Sequence, residues 1–138
     1  MEWSLPQRLM NYIDAETADA ALYRELSKVS DDPGDSKLLN EFAVDEASHA
    51  VEFEAIYRML TGKRYIPNQH ASDLTDDYRE ILFDRILDES GDFRKYNREY
   101  MSTPSDNVRL KNAFYNAAVD ENMHAIRLLY ILAKAKER

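Results

Sequence analysis

The chain has 138 residues, a formal net charge of −8 and no cysteine. Its length is typical of a single domain, here spanning 1–138, and its acidity argues against nucleic acid as a partner because phosphate binding requires a basic surface. The lack of cysteine excludes disulfide bonds, thiolate zinc sites and thiol nucleophiles.

Glycine and proline are rare and lie almost entirely between long periodic segments. The chain contains three glycines and four prolines, and Pro33-Gly34, Gly62 with Pro67, and Pro104 divide it into four parts. Segments of this length, separated by turn residues, predict an all-α fold of four long helices.

The first two segments predict a pair of helices joined by a short turn. Helix 1 is expected from Pro6 to Val29 and helix 2 from Lys37 to Thr61, with Asp35 or Ser36 as the cap of helix 2 and Gly62 as its stop. Both helices carry an inward-facing stripe with steps of three and four. The stripe residues are Leu9, Ile13, Glu16, Ala20 and Tyr23 in helix 1, and Leu39, Phe42, Glu46, His49, Phe53, Ile56 and Leu60 in helix 2.

A longer connection of 14 residues follows, from Gly62 to Thr75. Extended, it reaches ~45 Å, which exceeds the ~36 Å of a 24-residue helix. We therefore expect a long crossover that sets helix 3 parallel to helix 2. His70 lies in this connection and is expected to be an exposed loop residue.

The last two segments predict a second pair of helices. Helix 3 is expected from Asp76 to Met101 and helix 4 from Asn107 to the C-terminus, with a turn over 102–106 between them. Their stripes are Leu82, Ile86, Glu89, Phe93, Tyr96 and Tyr100, and Leu110, Phe114, Ala117, Glu121, His124, Leu128 and Ile131.

The sequence Asp-Glu-x-x-His occurs twice, at 45–49 and at 120–124. Glu and His three positions apart lie on one face of a helix, one turn from each other. Each predicted helix also has one glutamate in the middle of its apolar stripe. The spacing brings six groups to one level of a four-helix bundle: Glu16, Glu46, His49, Glu89, Glu121 and His124.

Four glutamates in an apolar interior repel each other unless protons or cations compensate them. Two divalent ions would balance four carboxylates, with the imidazoles neutral. The oxygen and nitrogen donors suit iron, manganese or zinc. Asp45 and Asp120 are candidates to orient the ligand histidines by accepting a ring N–H, although surface acids would show the same pattern. Tyr23 is either a hydrogen-bond donor to a ligand carboxylate or an ordinary core residue.

These motifs resemble the ferritin-like superfamily, in particular rubrerythrin and bacterioferritin. Glu16 with Tyr23 resembles the first-helix glutamate and its tyrosine, and the two Asp-Glu-x-x-His motifs resemble those of bacterioferritin. Glu89 and Asp92 resemble the Glu-x-x-Glu of rubrerythrin, which makes Asp92 a possible further ligand. Its carboxylate reaches one methylene less far than that of the glutamate it replaces.

The resemblance implies a di-iron site in which Glu46 and Glu121 bridge the metals as the catalytic residues. Glu16 and His49 would complete one iron, and Glu89 and His124 the other. The implied function is that of a rubrerythrin-type peroxidase or ferroxidase, which oxidises Fe(II) with hydrogen peroxide or dioxygen. The alternatives are a non-enzymatic iron storage or delivery subunit and a dimanganese catalase-like protein.

Features that the sequence lacks lead to expectations about the electron donor, the assembly and the location of the protein. Without a cysteine-rich domain of the rubrerythrin kind, turnover needs an external electron donor. Without a fifth helix, a homodimer is favoured over a 24-subunit shell. No signal peptide is recognisable, and the longest apolar run, 128–133, is far below the ~20 residues of a membrane span. We therefore expect a cytoplasmic protein with no membrane partner.

Overall fold

The computed structural model describes residues 2–68, 74 and 76–135. It contains four α-helices and, within these ranges, no strand, which confirms the all-α prediction. The helices are α1 (Leu5–Val29), α2 (Pro33–Thr61), α3 (Tyr78–Ser102) and α4 (Val108–Ala135). The chain divides into two compact units, one holding α1 and α2 (unit 1) and the other holding α3 and α4 (unit 2).

Helix α1 begins within one residue of the predicted position because its first turn is capped from both sides. The Ser4 hydroxyl accepts a hydrogen bond from the backbone N–H of Gln7, and the Gln7 side chain accepts one from the backbone N–H of Ser4. Pro6 lies in this first turn, where a missing N–H costs nothing.

Helix α2 begins at Pro33, so the predicted start at Lys37 is wrong, and so is the predicted cap at Asp35 or Ser36. The Asp32 side chain caps the helix instead, by accepting the backbone N–H of Asp35 at 3.0 Å. Proline is well suited to the first helical position, which allows the helix to begin directly after Asp32. The turn between the helices is therefore three residues long, 30–32, rather than the seven, 30–36, that the predicted bounds leave.

Unit 1 is an antiparallel helix pair with an aromatic contact toward each end. Near the turn, Tyr23 packs edge-on against Phe42 with ring centroids 5.4 Å apart. Toward the far end, Tyr12 contacts Phe53 at 6.0 Å. Because residues early in α1 pair with residues late in α2, positions in the middle of both helices lie at the same level.

The first part of the connection after α2 folds back onto α1. Gly62 ends α2 in the left-handed conformation, with φ 71°. The Tyr65 hydroxyl then donates to Asp14 at 2.7 Å, and the backbone N–H of Asn68 donates to the same carboxylate at 3.2 Å. Residues 69–73 and 75, including His70, lie outside the described residues, and the long crossover stays a prediction.

Unit 2 is a second antiparallel pair, in which Tyr96 stacks on Phe114 with centroids 6.2 Å apart. Helix α4 begins at Val108 rather than at Asn107, whose side chain caps it by accepting the N–H of Leu110 at 3.4 Å. Across the turn, the Lys111 ammonium group donates to the carbonyl oxygen of Tyr100 at 2.8 Å.

Most of the predicted stripe residues are buried; Ile86 and Tyr100 are half-buried, and two others are exposed. Phe93 is 37% exposed and Leu60 is 50% exposed, so their prediction as core residues is wrong. Leu60 lies in the last turn of α2, and Phe93 lies at the margin of its stripe between the buried Glu89 and Tyr96. None of the helices in the described ranges combines the length and the apolar character that crossing a bilayer requires.

Candidate metal centre

In unit 1, Glu16 from α1 meets Glu46 and His49 from α2, and we call these three residues the first half-site. One ligand atom from each lies within 4.8 Å of the others. His49 Nδ1 is 2.9 Å from Glu16 Oε1 and 3.5 Å from Glu46 Oε1. Both carboxylates are fully buried, and the imidazole is 7% exposed.

In unit 2, Glu89 from α3 meets Glu121 and His124 from α4, and we call these the second half-site. Their ligand atoms also lie within 4.8 Å of one another. His124 Nδ1 is 3.6 Å from Glu89 Oε2 and 3.5 Å from Glu121 Oε1. All three side chains are buried.

Each half-site is built by the same local rule. A glutamate and a histidine three positions apart project from one face of the second helix, one turn apart. The short turn sets the level of the first helix, so that its single stripe glutamate faces them. The two pairs also share a sequence pattern, because α3 repeats the inner residues of α1 at a constant offset: Leu9 and Leu82, Ile13 and Ile86, Glu16 and Glu89, Asp19 and Asp92, Tyr23 and Tyr96.

Arg85 is the residue of the site that was not predicted from the sequence. Its guanidinium is buried, and Nη2 lies 3.2 Å from Glu89 Oε1. The signal was present, because Arg85 precedes Glu89 by four positions and such residues are neighbours on a helix. A long basic side chain also reaches solvent easily from a helix, which is why the sequence alone did not place it inside.

In the first half-site, the surroundings of Glu16 disfavour its ionised form. Burial raises the pKa of Glu16 well above its usual range, and the nearby charge of Glu46 raises it further, while the hydrogen bond with His49 opposes both. Glu16 Oε2 is buried and has no hydrogen-bond partner among the described residues. A cation bound next to Glu16 would favour its ionised form.

The second half-site differs in its electrostatics. Burial by itself raises the pKa of Glu89, but the interactions with His124 and the charge of Arg85 outweigh it and lower the pKa to about 2. Glu89 is therefore held as a carboxylate by charges that unit 2 itself supplies.

The remaining predicted site residues lie outside these two groups of three. Asp92 is half-buried and accepts a hydrogen bond from Lys95 at 3.2 Å; burial raises its pKa, and Lys95 opposes the shift. Asp45 and Asp120 are half-buried. Tyr23 is fully buried against Phe42, and its proposed bond to a ligand carboxylate stays a prediction.

The donors of each half-site fit a divalent transition metal. Two carboxylates and one imidazole, buried and converging, are ligands that iron, manganese and zinc all accept. If its imidazole is neutral, each half-site supplies two formal negative charges, which balance the two positive charges of one such ion. The donor chemistry leaves the choice among these metals open.

No protein-family model matches the chain, and no solved structure matches it. Among curated proteins, it is 30% identical over 128 residues to the uncharacterized protein YhjR of Bacillus subtilis (strain 168). The alignment covers 93% of this chain and 86% of that protein, so it extends over both helix pairs. The chain therefore belongs to the protein family that includes YhjR.

Proposed function

We propose that this protein is a di-iron carboxylate oxidoreductase of rubrerythrin type, which oxidises Fe(II) with hydrogen peroxide or dioxygen. In this proposal the two helix pairs form one ferritin-like four-helix bundle, and each supplies half of a dinuclear centre. The observation that carries the proposal is the duplicated, buried group of two glutamates and one histidine. Such a set is costly to bury unless cations compensate it.

The proposed roles are those that the resemblance to rubrerythrin and bacterioferritin implies. Glu46 and Glu121 would be shared by both ions, Glu16 and His49 would hold one of them, and Glu89 and His124 would hold the other. When bound, the two iron ions supply the electrons that reduce the oxidant. The protein contributes position and electrostatics.

The chain's own residues prepare the centre for this chemistry. His49 Nδ1 faces two carboxylates and His124 Nδ1 faces two more, so the same nitrogen of each ring points toward the acids. Burial of these donors keeps water away from them and lowers the local dielectric constant, which strengthens their interaction with a cation. Since the chain has no cysteine, electrons for a second turnover would come from an external donor.

Anaerobic loading with Fe(II) tests the proposal. We expect about two ferrous ions per chain by elemental analysis, followed by fast oxidation when hydrogen peroxide is added, recorded as the rise of ferric absorbance. A matched control is Glu41→Ala, which removes an exposed acid from α2 and should leave both results unchanged. Binding without fast oxidation would refute the proposed oxidoreductase activity but not the metal site. No binding would refute both proposals.

Size measurement separates the proposed enzyme from iron storage. Light scattering of the iron-loaded protein is expected to give a homodimer. A large hollow assembly would favour the storage function instead. Elemental analysis of protein isolated without added metal tests iron against manganese and zinc.

A further inference from the structure

Arg85 introduces a fixed positive charge into one half-site. It is 7% exposed, and its two terminal nitrogens contact two acids of the same helix. Nη1 lies 3.2 Å from Asp88, which is largely exposed, and Nη2 lies 3.2 Å from the fully buried Glu89. Arginine stays protonated under all ordinary conditions, so this charge does not depend on pH.

The first half-site has no matching cation at this position. Four positions before Glu16 the chain has Tyr12, a neutral residue that packs against Phe53. The charged neighbours with the strongest influence on Glu16 are two further acids, Glu46 and Asp19, together with His49. The two half-sites therefore have the same types of donor, two glutamates and one histidine, but the charges around these donors differ.

We propose that Arg85 makes the two half-sites unequal, so that the second half-site binds divalent metal more weakly and loses it first. This inference rests on the proposed dinuclear centre. A metal at the second half-site must share Glu89 with the guanidinium or displace it, and it must also approach a fixed positive charge. A hydrogen bond to a charged group contributes enough to change affinity roughly tenfold to hundredfold.

Arg85 would be a positioning residue, because it would act on the metal through Glu89. A purely structural role would change the stability of the fold without changing the ratio of the two metal affinities. The unequal sites also give the centre an order of filling, in which the first half-site is occupied before the second.

Calorimetric titration with Co²⁺ under anaerobic conditions measures both affinities without redox chemistry. We expect two binding events in the wild-type protein, separated at least about tenfold. Arg85→Gln should strengthen the weaker event and bring the two affinities together. The control Arg94→Gln removes an exposed arginine from the same helix and should leave the separation unchanged.

Histidine variants assign the two events without altering Arg85. His124→Ala should retain the tighter event, and His49→Ala should retain the weaker one. The reverse assignment, equal affinities in the wild type, or an unchanged separation in a folded Arg85→Gln would each overturn the inference while the metal centre stands. No Co²⁺ binding by the wild-type protein would overturn the inference and remove its basis in the proposed function.

Discussion

His49 Nδ1 lies 2.9 Å from Glu16 Oε1, although the two residues are 33 positions apart and belong to antiparallel helices. A ring nitrogen that binds a metal cannot also donate a proton to a carboxylate. Metal binding at the first half-site would therefore replace this hydrogen bond with two ligand bonds. The contact shows that the two donors are already close enough to serve one ion.

Removal of either proposed bridging glutamate should reduce metal binding. We expect Glu46→Ala and Glu121→Ala each to abolish binding of at least one of the two ions, as measured by stoichiometry after Fe(II) or Co²⁺ loading. Removing one buried acid should also stabilise the metal-free fold, because fewer carboxylates then repel each other. Variants that bind metal as the parent does would contradict the bridging assignment.

Glu16 and Glu89 should give the metal-free protein opposite responses to pH. The pKa of folded-state Glu16 is raised from 4.5, so its stabilising contribution is complete below about 4.5 and is lost as pH rises through the folded-state value. The pKa of Glu89 is lowered to about 2, so its contribution is present above about 4.5 and is lost as pH falls toward 2.

Denaturant titrations of chelator-treated protein measure both effects. Glu16→Gln should flatten the loss of stability as pH rises above about 4.5, and Glu89→Gln should flatten the loss at lower pH. An unchanged pH profile in either variant would contradict the corresponding pKa shift.

The pKa of the Tyr65 phenol should lie well above that of an ordinary tyrosine. Its hydrogen bond to Asp14, followed by partial burial, raises its pKa from 10.0 to about 12. Tyr65 thus stabilises the fold below pH 10, and this contribution is lost as pH rises through about 12. Ultraviolet titration of the phenolates should show one group near this value, which Tyr65→Phe removes and Asp14→Asn moves back toward 10.

Alanine substitutions at two glycines should change the stability of the fold in opposite directions. A methyl group added to Gly91 in α3 would meet no other group within 4 Å among the described residues, so close packing does not explain this glycine. Gly91→Ala should stabilise the protein by about 0.5–1 kcal/mol. Gly62 has φ 71°, and Gly62→Ala should destabilise it by roughly 1 kcal/mol. Thermal unfolding measures both, and destabilisation by Gly91→Ala would refute the account of α3.

Asp32 should contribute to stability as the cap of α2. Asp32→Ala removes the acceptor for the backbone N–H of Asp35 and should cost about 1 kcal/mol in chemical unfolding. The neighbouring Asp31 is exposed, and Asp31→Ala should change stability by less than about 0.5 kcal/mol. Equal effects of the two substitutions would argue against the cap.

The periodicity of the sequence was sufficient to predict the helices and the six polar residues of the two half-sites. A charged residue in an apolar stripe is visible in the sequence because burial without compensation is costly. Stripe membership at helix ends and margins was less certain, as Leu60 and Phe93 show, because the path of the neighbouring helix decides which flank is covered.

By itself, then, the sequence determined four helices and which acids and histidines point inward, because both follow from the helical repeat within one segment. The resemblance implied that Glu16 and His49 belong together, but only the tertiary structure decided their contact distance and the burial of Arg85 on Glu89. Pairing depends on how two helices are set against each other by their turn, and a long flexible side chain such as arginine takes its direction from the surroundings it meets.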